Sequence, residues 1–493
     1  MAEWPNAAVL KTADRKVRGF ESHPLRQYGS PATAAPMAPL RSLVSPRFDG
    51  PTRPRLRGSG LARLGADWMA FGEPAYRTYL LLGITQGAVL ALSGTALSIP
   101  LLLTLGLGPG PTTLVASLAL IGPAAQLAVP TLLRRSGGNL RRVTLVAAAL
   151  GETRGLWLAV LTVIGAAGGA NHAVLVVGLL LATAALGVFS GVAGANLQAW
   201  FAATLPEDER RFVAPRVVGL GLAVSAVLLA AIAVLLDPAL STYGLAAYAV
   251  PFFAGGLAGV LELSALATLP RPGRVRVARP AHPMPPPPGW QAFVGVATLA
   301  SLGSGLAPYY AVYIISVLRA SASVAVALSA LTSAAAVVAS TFGAGLLNRH
   351  SSSRLLRLAY AGLGTGWVLA LASFPGNPAA LLCFVAVALL VSAGGAIVQI
   401  ATNERLFRLV SGPTVFTQQG RFVGATASAT AAGQVAGAAL LAAAPVGYPV
   451  FAALFLVSGG VRVLAAARLP VADSWSNATR VVSLSDLERG DRS

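Results

Sequence analysis

The sequence predicts an all-α integral membrane protein, with twelve transmembrane helices in two pseudo-symmetric six-helix bundles. Three observations predict it. The chain is 55% hydrophobic and only 11% charged, whereas soluble domains average about 25% charged. Twelve apolar segments run through it, most of them at least the roughly 20 residues that a helix needs to cross a bilayer core of about 30 Å. Arginine crowds every other connection between them, and basic loops are the ones that stay on the cytoplasmic side.

Residues 1–70 are rich in Pro, Ser and Arg and show no sustained apolar period. They read as a disordered basic cytoplasmic tail without the apolar core of a signal peptide. Within it, the stretch 64–71, with Trp68 and Met69, is expected to form a short interfacial helix, because aromatic residues favour that layer. The segments expected to span the membrane are 78–104, 112–133, 143–167, 173–201, 213–236, 245–269, 291–318, 322–347, 355–374, 378–402, 419–443 and 447–468. They are numbered 1 to 12 below. The first six fill an N-terminal half (76–270) and the last six a C-terminal half (290–470). Between them 271–289 is a Pro/Arg-rich linker, extended and semi-rigid at this proline density. Residues 471–493 form a second cytoplasmic tail.

The connections orient the chain. Arg134, Arg135, Arg141 and Arg142 follow segment 2; Arg210, Arg211 and Arg216 follow segment 4; Arg271, Arg274, Arg276 and Arg279 follow segment 6. Arg349, Arg354 and Arg357 follow segment 8, and Arg405, Arg408 and Arg421 flank the 10–11 connection. The alternate connections hold no Lys or Arg except Arg319. Both termini are therefore expected in the cytoplasm, and the protein in the plasma membrane.

The net charge of +19 follows from this topology together with contact to anionic membrane lipids, and no nucleic-acid partner is expected. The one cysteine, Cys383, lies inside an apolar segment, and His23, His172, His282 and His350 are far apart. Neither a disulfide framework nor a metal centre is expected, and no cofactor. No His/Asp/Glu cluster or nucleophile motif marks an enzyme.

The halves echo each other. Leu132-Leu133-Arg134-Arg135-Ser136 after segment 2 matches Leu346-Leu347-Asn348-Arg349-His350-Ser351 after segment 8. Arg216-Val217-Val218-Gly219 matches Arg421-Phe422-Val423-Gly424, Asn196 matches Asn403, and Leu269-Pro270 matches Leu469-Pro470. Each half has an even number of segments, so the repeat is parallel, about an axis along the membrane normal. On these features the chain resembles the major facilitator superfamily over roughly 76–470, as a divergent member. Pro130, Leu132, Arg134, Arg135 and Gly137 fall on places of that family's 2–3 loop signature, with Arg134 where the family has an Asp. The Gly-Pro signature of drug/proton antiporters in segment 5 and a mid-segment Arg in segment 4 are both absent.

The resemblance implies a monomeric secondary transporter working by alternating access on a small organic or amphipathic solute, with proton-coupled export as one form. A lipid flippase of the same fold, a non-transporting sensor and a membrane-embedded enzyme are the alternatives. It also implies that segments 1, 4, 7 and 10 line a central cavity. Their amides and phenols are the substrate-binding candidates: Gln86, Asn196, Gln198, Tyr309, Tyr310, Tyr313, Gln399 and Asn403. Amides offer paired donors and acceptors, and tyrosine a wide amphipathic face.

Ionisable groups within a segment are costly and mark function by default. Glu152, Arg154 and Glu262 are the proton-coupling candidates. Arg462 matches Glu262 in the second half and lies near enough to the arginine-rich face to snorkel as an anchor. Arg134, Arg216, Arg349 and Arg421 are gating candidates, through ion pairs between the halves. In segment 11, Gly433 and Gly437 form a GxxxG pair, expected to be a gliding contact between halves.

Overall fold

The computed structural model describes residues 72–73, 76–118, 121–128, 131–132, 135–168, 172–205, 207–271, 289–307, 310–409, 415–445 and 447–469. Every regular element among them is helical. Both expected tails, the interfacial stretch 64–71 and nearly all of the linker lie outside them.

Helical elements fall on each expected segment. Segment 1 is Arg77–Ser93 followed by Thr95–Thr104, and segment 2 begins with Pro109–Leu118 and continues at Ile121–Ala124. Segment 3 is Leu140–Gly151 followed by Arg154–Ala166; segments 4, 5 and 6 are His172–Thr204, Glu207–Tyr243 and Ala249–Thr268. Segment 7 is Trp290–Leu306 followed by Tyr310–Ser316, and segment 8 is Ala322–Arg349. Segments 9 to 12 are Ser352–Leu369, Ala380–Leu409, Val415–Ala443 and Tyr448–Arg468. Among the described residues nine stretches are long and apolar enough to cross a membrane, and one of them, Arg216–Thr268, runs through segments 5 and 6. Segment 11 is not among the nine, because its Gly, Ser and Thr lower its hydropathy.

The packing repeats with a shift of six. Segment 1 packs on 5 and 6, as 7 packs on 11 and 12. Segment 4 packs on 2 and 3, as 10 packs on 8 and 9. Segment 3 meets 6, as 9 meets 12. The two sets of six meet along two seams that exchange under the same shift, 2 against 11 and 5 against 8.

At the arginine-poor face the seams are closed. Thr95–Thr104 packs on Tyr310–Ser316 and on segment 8. Ile99 and Ala116 sit in one apolar cluster with Tyr313 and Phe451. Val326 and Ala330 of segment 8 sit in another with Leu229 and Leu236 of segment 5.

Two corrections concern packing. The GxxxG pair does not glide between the halves: a Cβ on Gly433 would meet the Leu302 carbonyl at 2.5 Å, within the last six segments. The seam contacts of segment 11 come from its two ends, where Gly424 meets Leu127 and Ala442 meets Gly110. Nor does Arg462 snorkel, since only 3% of it is exposed.

Three segments are broken in the middle. Segment 1 breaks at Gly94, whose backbone is extended at φ −87°, ψ −177°. Segment 7 breaks after Leu306, where Ala307 is extended at φ −67°, ψ 126°; Ala307 precedes Pro308, and a residue before proline avoids the helical region. Segment 3 is interrupted at Glu152 and Thr153. Inside a membrane, backbone groups freed by such breaks need partners from the protein.

Candidate functional site

The breaks in segments 1 and 3 adjoin a buried polar cluster inside the first six segments. Small residues bring the helices together there. Gly151 faces the Ser190 backbone, Gly155 faces Gly256, and Gly259 faces the Glu152 carbonyl, each too closely for a side chain. Segments 3, 4 and 6 therefore meet at backbone distance around Glu152.

Glu152 is 2% and Glu262 3% exposed. Glu152 accepts a hydrogen bond from the Ser190 hydroxyl of segment 4 at 2.9 Å. Glu262 of segment 6 lies beside Gln86 of segment 1 and near enough to Glu152 and Arg154 to feel their charge. The Oε2 of each carboxylate is buried without a hydrogen-bond partner. The Arg154 Nε donates to the Ser93 carbonyl at 3.2 Å. Ser93 ends the first half of broken segment 1, so this guanidinium caps a helix C-terminus, where cations are favoured. The spacing of two turns Glu152 and Arg154 to different faces, and they serve different neighbours accordingly.

The last six segments carry a counterpart of opposite sign. Arg462 donates from Nη2 to the Ser304 hydroxyl at 2.8 Å and lies over the Trp367 ring at 5.9 Å. The Ser458 hydroxyl donates to the Gly303 carbonyl at 2.8 Å. Ser304 and Gly303 adjoin the break in segment 7, as Ser93 adjoins the break in segment 1. A charged side chain thus reaches the end of a broken first helix in both halves. The acidic pair exists only in the first.

Tyr310 stacks on Trp367 with centroids 5.7 Å apart and meets Phe384 edge-on. Tyr313 is fully buried, and its hydroxyl donates to the Ser373 carbonyl at 2.6 Å. It is a core residue of the last six segments, not a free cavity wall. Asn196 is fully buried near Leu197 and Trp200. Gln399 is half-buried and Asn403 buried. Tyr309 and Arg134 lie outside the described residues, as do the side chains of Gln198 and Arg349. Arg216 is half-buried and Arg421 exposed.

Two features escaped the sequence reading. Arg141 donates to the Ala267 carbonyl at 3.0 Å, and Arg357 donates to the Leu469 carbonyl. Each arginine stands in the first two turns of the third segment of its half and caps the sixth. Asp237, at the arginine-poor end of segment 5, accepts from the Ser323 hydroxyl at 2.6 Å and the Ser323 N–H at 3.2 Å, across the seam. Its signal in the sequence is a lone carboxylate in a connection without Lys or Arg.

No protein-family model and no curated protein matches the chain. Solved structures do. A bacterial homologue of the iron transporter ferroportin, in its inward-facing state, is 17% identical with a TM-score of 0.59, over 82% of this chain and 98% of that one. The inward-open xylose transporter XylE from E. coli is 16% identical with a TM-score of 0.60, over 84% and 98%. The nucleoside transporter NupG is 14% identical with a TM-score of 0.55, over 80% and 98%.

Proposed function

We propose that this chain, whose fold is that of the major facilitator transporters, is a secondary transporter of a small organic solute, coupled to protons through its first six segments. The packing repeat carries the transport reading. Two six-segment units that meet mainly along the 2–11 and 5–8 seams can rock about a site near the midplane, opening one face as the other closes. The described conformation is closed at the arginine-poor face, taken as the outside.

The polar cluster supports proton coupling. Two buried carboxylates and one guanidinium sum to one negative charge, and buried net charge is costly. A proton shared by Glu152 and Glu262 brings the cluster to neutrality. Gln86 connects Glu262 to segment 1, and Arg154 holds the break in that same segment. Proton occupancy and the shape of segment 1 are therefore linked through two contacts. A solute of low net charge suits the amide and phenol groups of segments 1, 7 and 10, with Gln86, Tyr310 and Gln399 as the candidates. Inter-half contacts by Arg216 and Arg421 would close the cytoplasmic side, with both termini on that side.

The test has two stages. A thermal-shift screen of the purified chain against metabolites and drugs finds a solute that stabilises the folded state by binding it. Flux of that solute is then followed in proteoliposomes with and without an imposed pH gradient. Gradient-dependent flux that becomes gradient-independent in Glu262→Gln, with the thermal shift retained, is the expected result. Flux indifferent to the gradient in the unsubstituted chain would overturn the coupling, and no flux of any stabilising solute would overturn transport.

A further inference from the structure

We infer that Asp237 is the latch that holds the arginine-poor face closed. The inference rests on the alternating-access reading and goes beyond it by naming the contact that must break.

Asp237 lies on segment 5, six residues before the helix Glu207–Tyr243 ends. A carboxylate near the C-terminal end of its own helix is unfavourably placed, because that end carries partial negative charge. Its placement makes sense only across the seam. Ser321 is the N-cap of segment 8, and Ser323 is the second residue of that helix. Asp237 accepts from the Ser323 N–H and hydroxyl, with Ser321 beside it. Ser321 and Ser323 bond each other at 2.8 Å. One carboxylate from the first half thus caps the N-terminus of a helix in the second, where orphan N–H groups and the helix dipole favour an anion.

The surroundings make this contact the decisive one. Beside it among the described residues the seam is packed by the apolar Val326, Ala330, Leu229 and Leu236, and apolar contacts tolerate sliding. A charge-assisted, two-point bond has one geometry. When the face opens, segment 5 leaves segment 8, and both the carboxylate and the helix end pass to water. The latch therefore weights the closed state without locking it, as a cycle through both states requires.

The test reads opening directly. In the full chain with Cys383→Ser, a cysteine is placed at Val326, which is fully buried at the seam, and its reaction with a membrane-impermeant maleimide is timed in proteoliposomes. Asp237→Asn should speed labelling about tenfold, the population shift expected when one charge-assisted hydrogen bond is lost. Ser323→Ala should speed it less, since the backbone donor remains, and the double variant should match Asp237→Asn alone. An unchanged rate in Asp237→Asn, or additive effects in the double variant, would overturn the latch. A cysteine at Leu82, buried away from the seam, guards against unfolding. An equal rise there would overturn it too. The readout is seam opening, not flux, so failure here leaves the transport reading standing.

Discussion

Gly459 and Gly460 are neighbours in segment 12, and the structure predicts opposite outcomes for the same change at each. A Cβ on Gly459 would stand 2.7 Å from the Gly364 carbonyl oxygen and 3.0 Å from a Val368 methyl, both on segment 9. Ordinary contact begins near 3.4 Å, so segments 9 and 12 would have to part by about 0.7 Å. The obstacle at Gly364 is backbone and cannot rotate away. Overpacking of this kind costs about 1–3 kcal/mol. Widening the pair also draws Arg462, three residues on, away from the Trp367 ring, adding up to about 1 kcal/mol. A Cβ on Gly460 meets nothing within 4 Å, and alanine there gains about 0.5–1 kcal/mol of helix propensity. Thermal unfolding in detergent, followed by tryptophan fluorescence, should show Gly459→Ala several degrees below the unsubstituted chain and Gly460→Ala at or above it. Equal midpoints for the two variants would refute the close approach of segments 9 and 12.

Three further outcomes follow from the site geometry. Arg462→Ala should destabilise the fold by at least about 2 kcal/mol through loss of the Ser304 and Trp367 contacts, seen as a lower unfolding midpoint, and an unchanged midpoint would restore the snorkelling reading. Arg141→Ala and Arg357→Ala should each speed amide exchange in the last turn of segment 6 or segment 12 and leave the other unchanged; exchange altered equally in both would refute the local cap. Arg421→Ala should raise the labelling of cysteines placed at the arginine-rich ends of segments 5 and 11 if that side chain helps to close them, and unaltered labelling would remove it from the gate.

The architecture was legible in the sequence because two signals are physically forced. A helix must be about as long as the bilayer is thick, and arginine resists translocation. The repeated Arg216/Arg421 and Leu269/Leu469 landmarks then foretold the shift of six seen in the packing. The candidate site was legible only as single residues. Glu152 and Glu262 drew attention because charge inside a segment is costly, but nothing in the spacing put them beside each other or named Gln86 and Ser190 as neighbours. Faces were the hardest to read. Lipid tails are as apolar as leucine, so hydropathy does not separate the outside of a helix from its packed side, and Gly433 was given the wrong partner for that reason. Gly94 gave no warning of a break among so many small residues. Arg462 was misjudged because counting from the segment end measures depth, whereas its contacts depend on Ser304 and Trp367, more than a hundred and fifty and nearly a hundred residues away in sequence.

Positions 262 and 462 occupy matching places in the two halves and hold an acid and a guanidinium. A guanidinium keeps its charge at any pH a cell meets, while a carboxyl does not have to. At that depth the C-terminal half thus holds a permanent cation, while its counterpart holds a group whose charge a proton can cancel. A chimaera carrying two copies of the first repeat would hold four inward-facing acids and no Arg462, and one carrying two copies of the second would have nothing there to titrate.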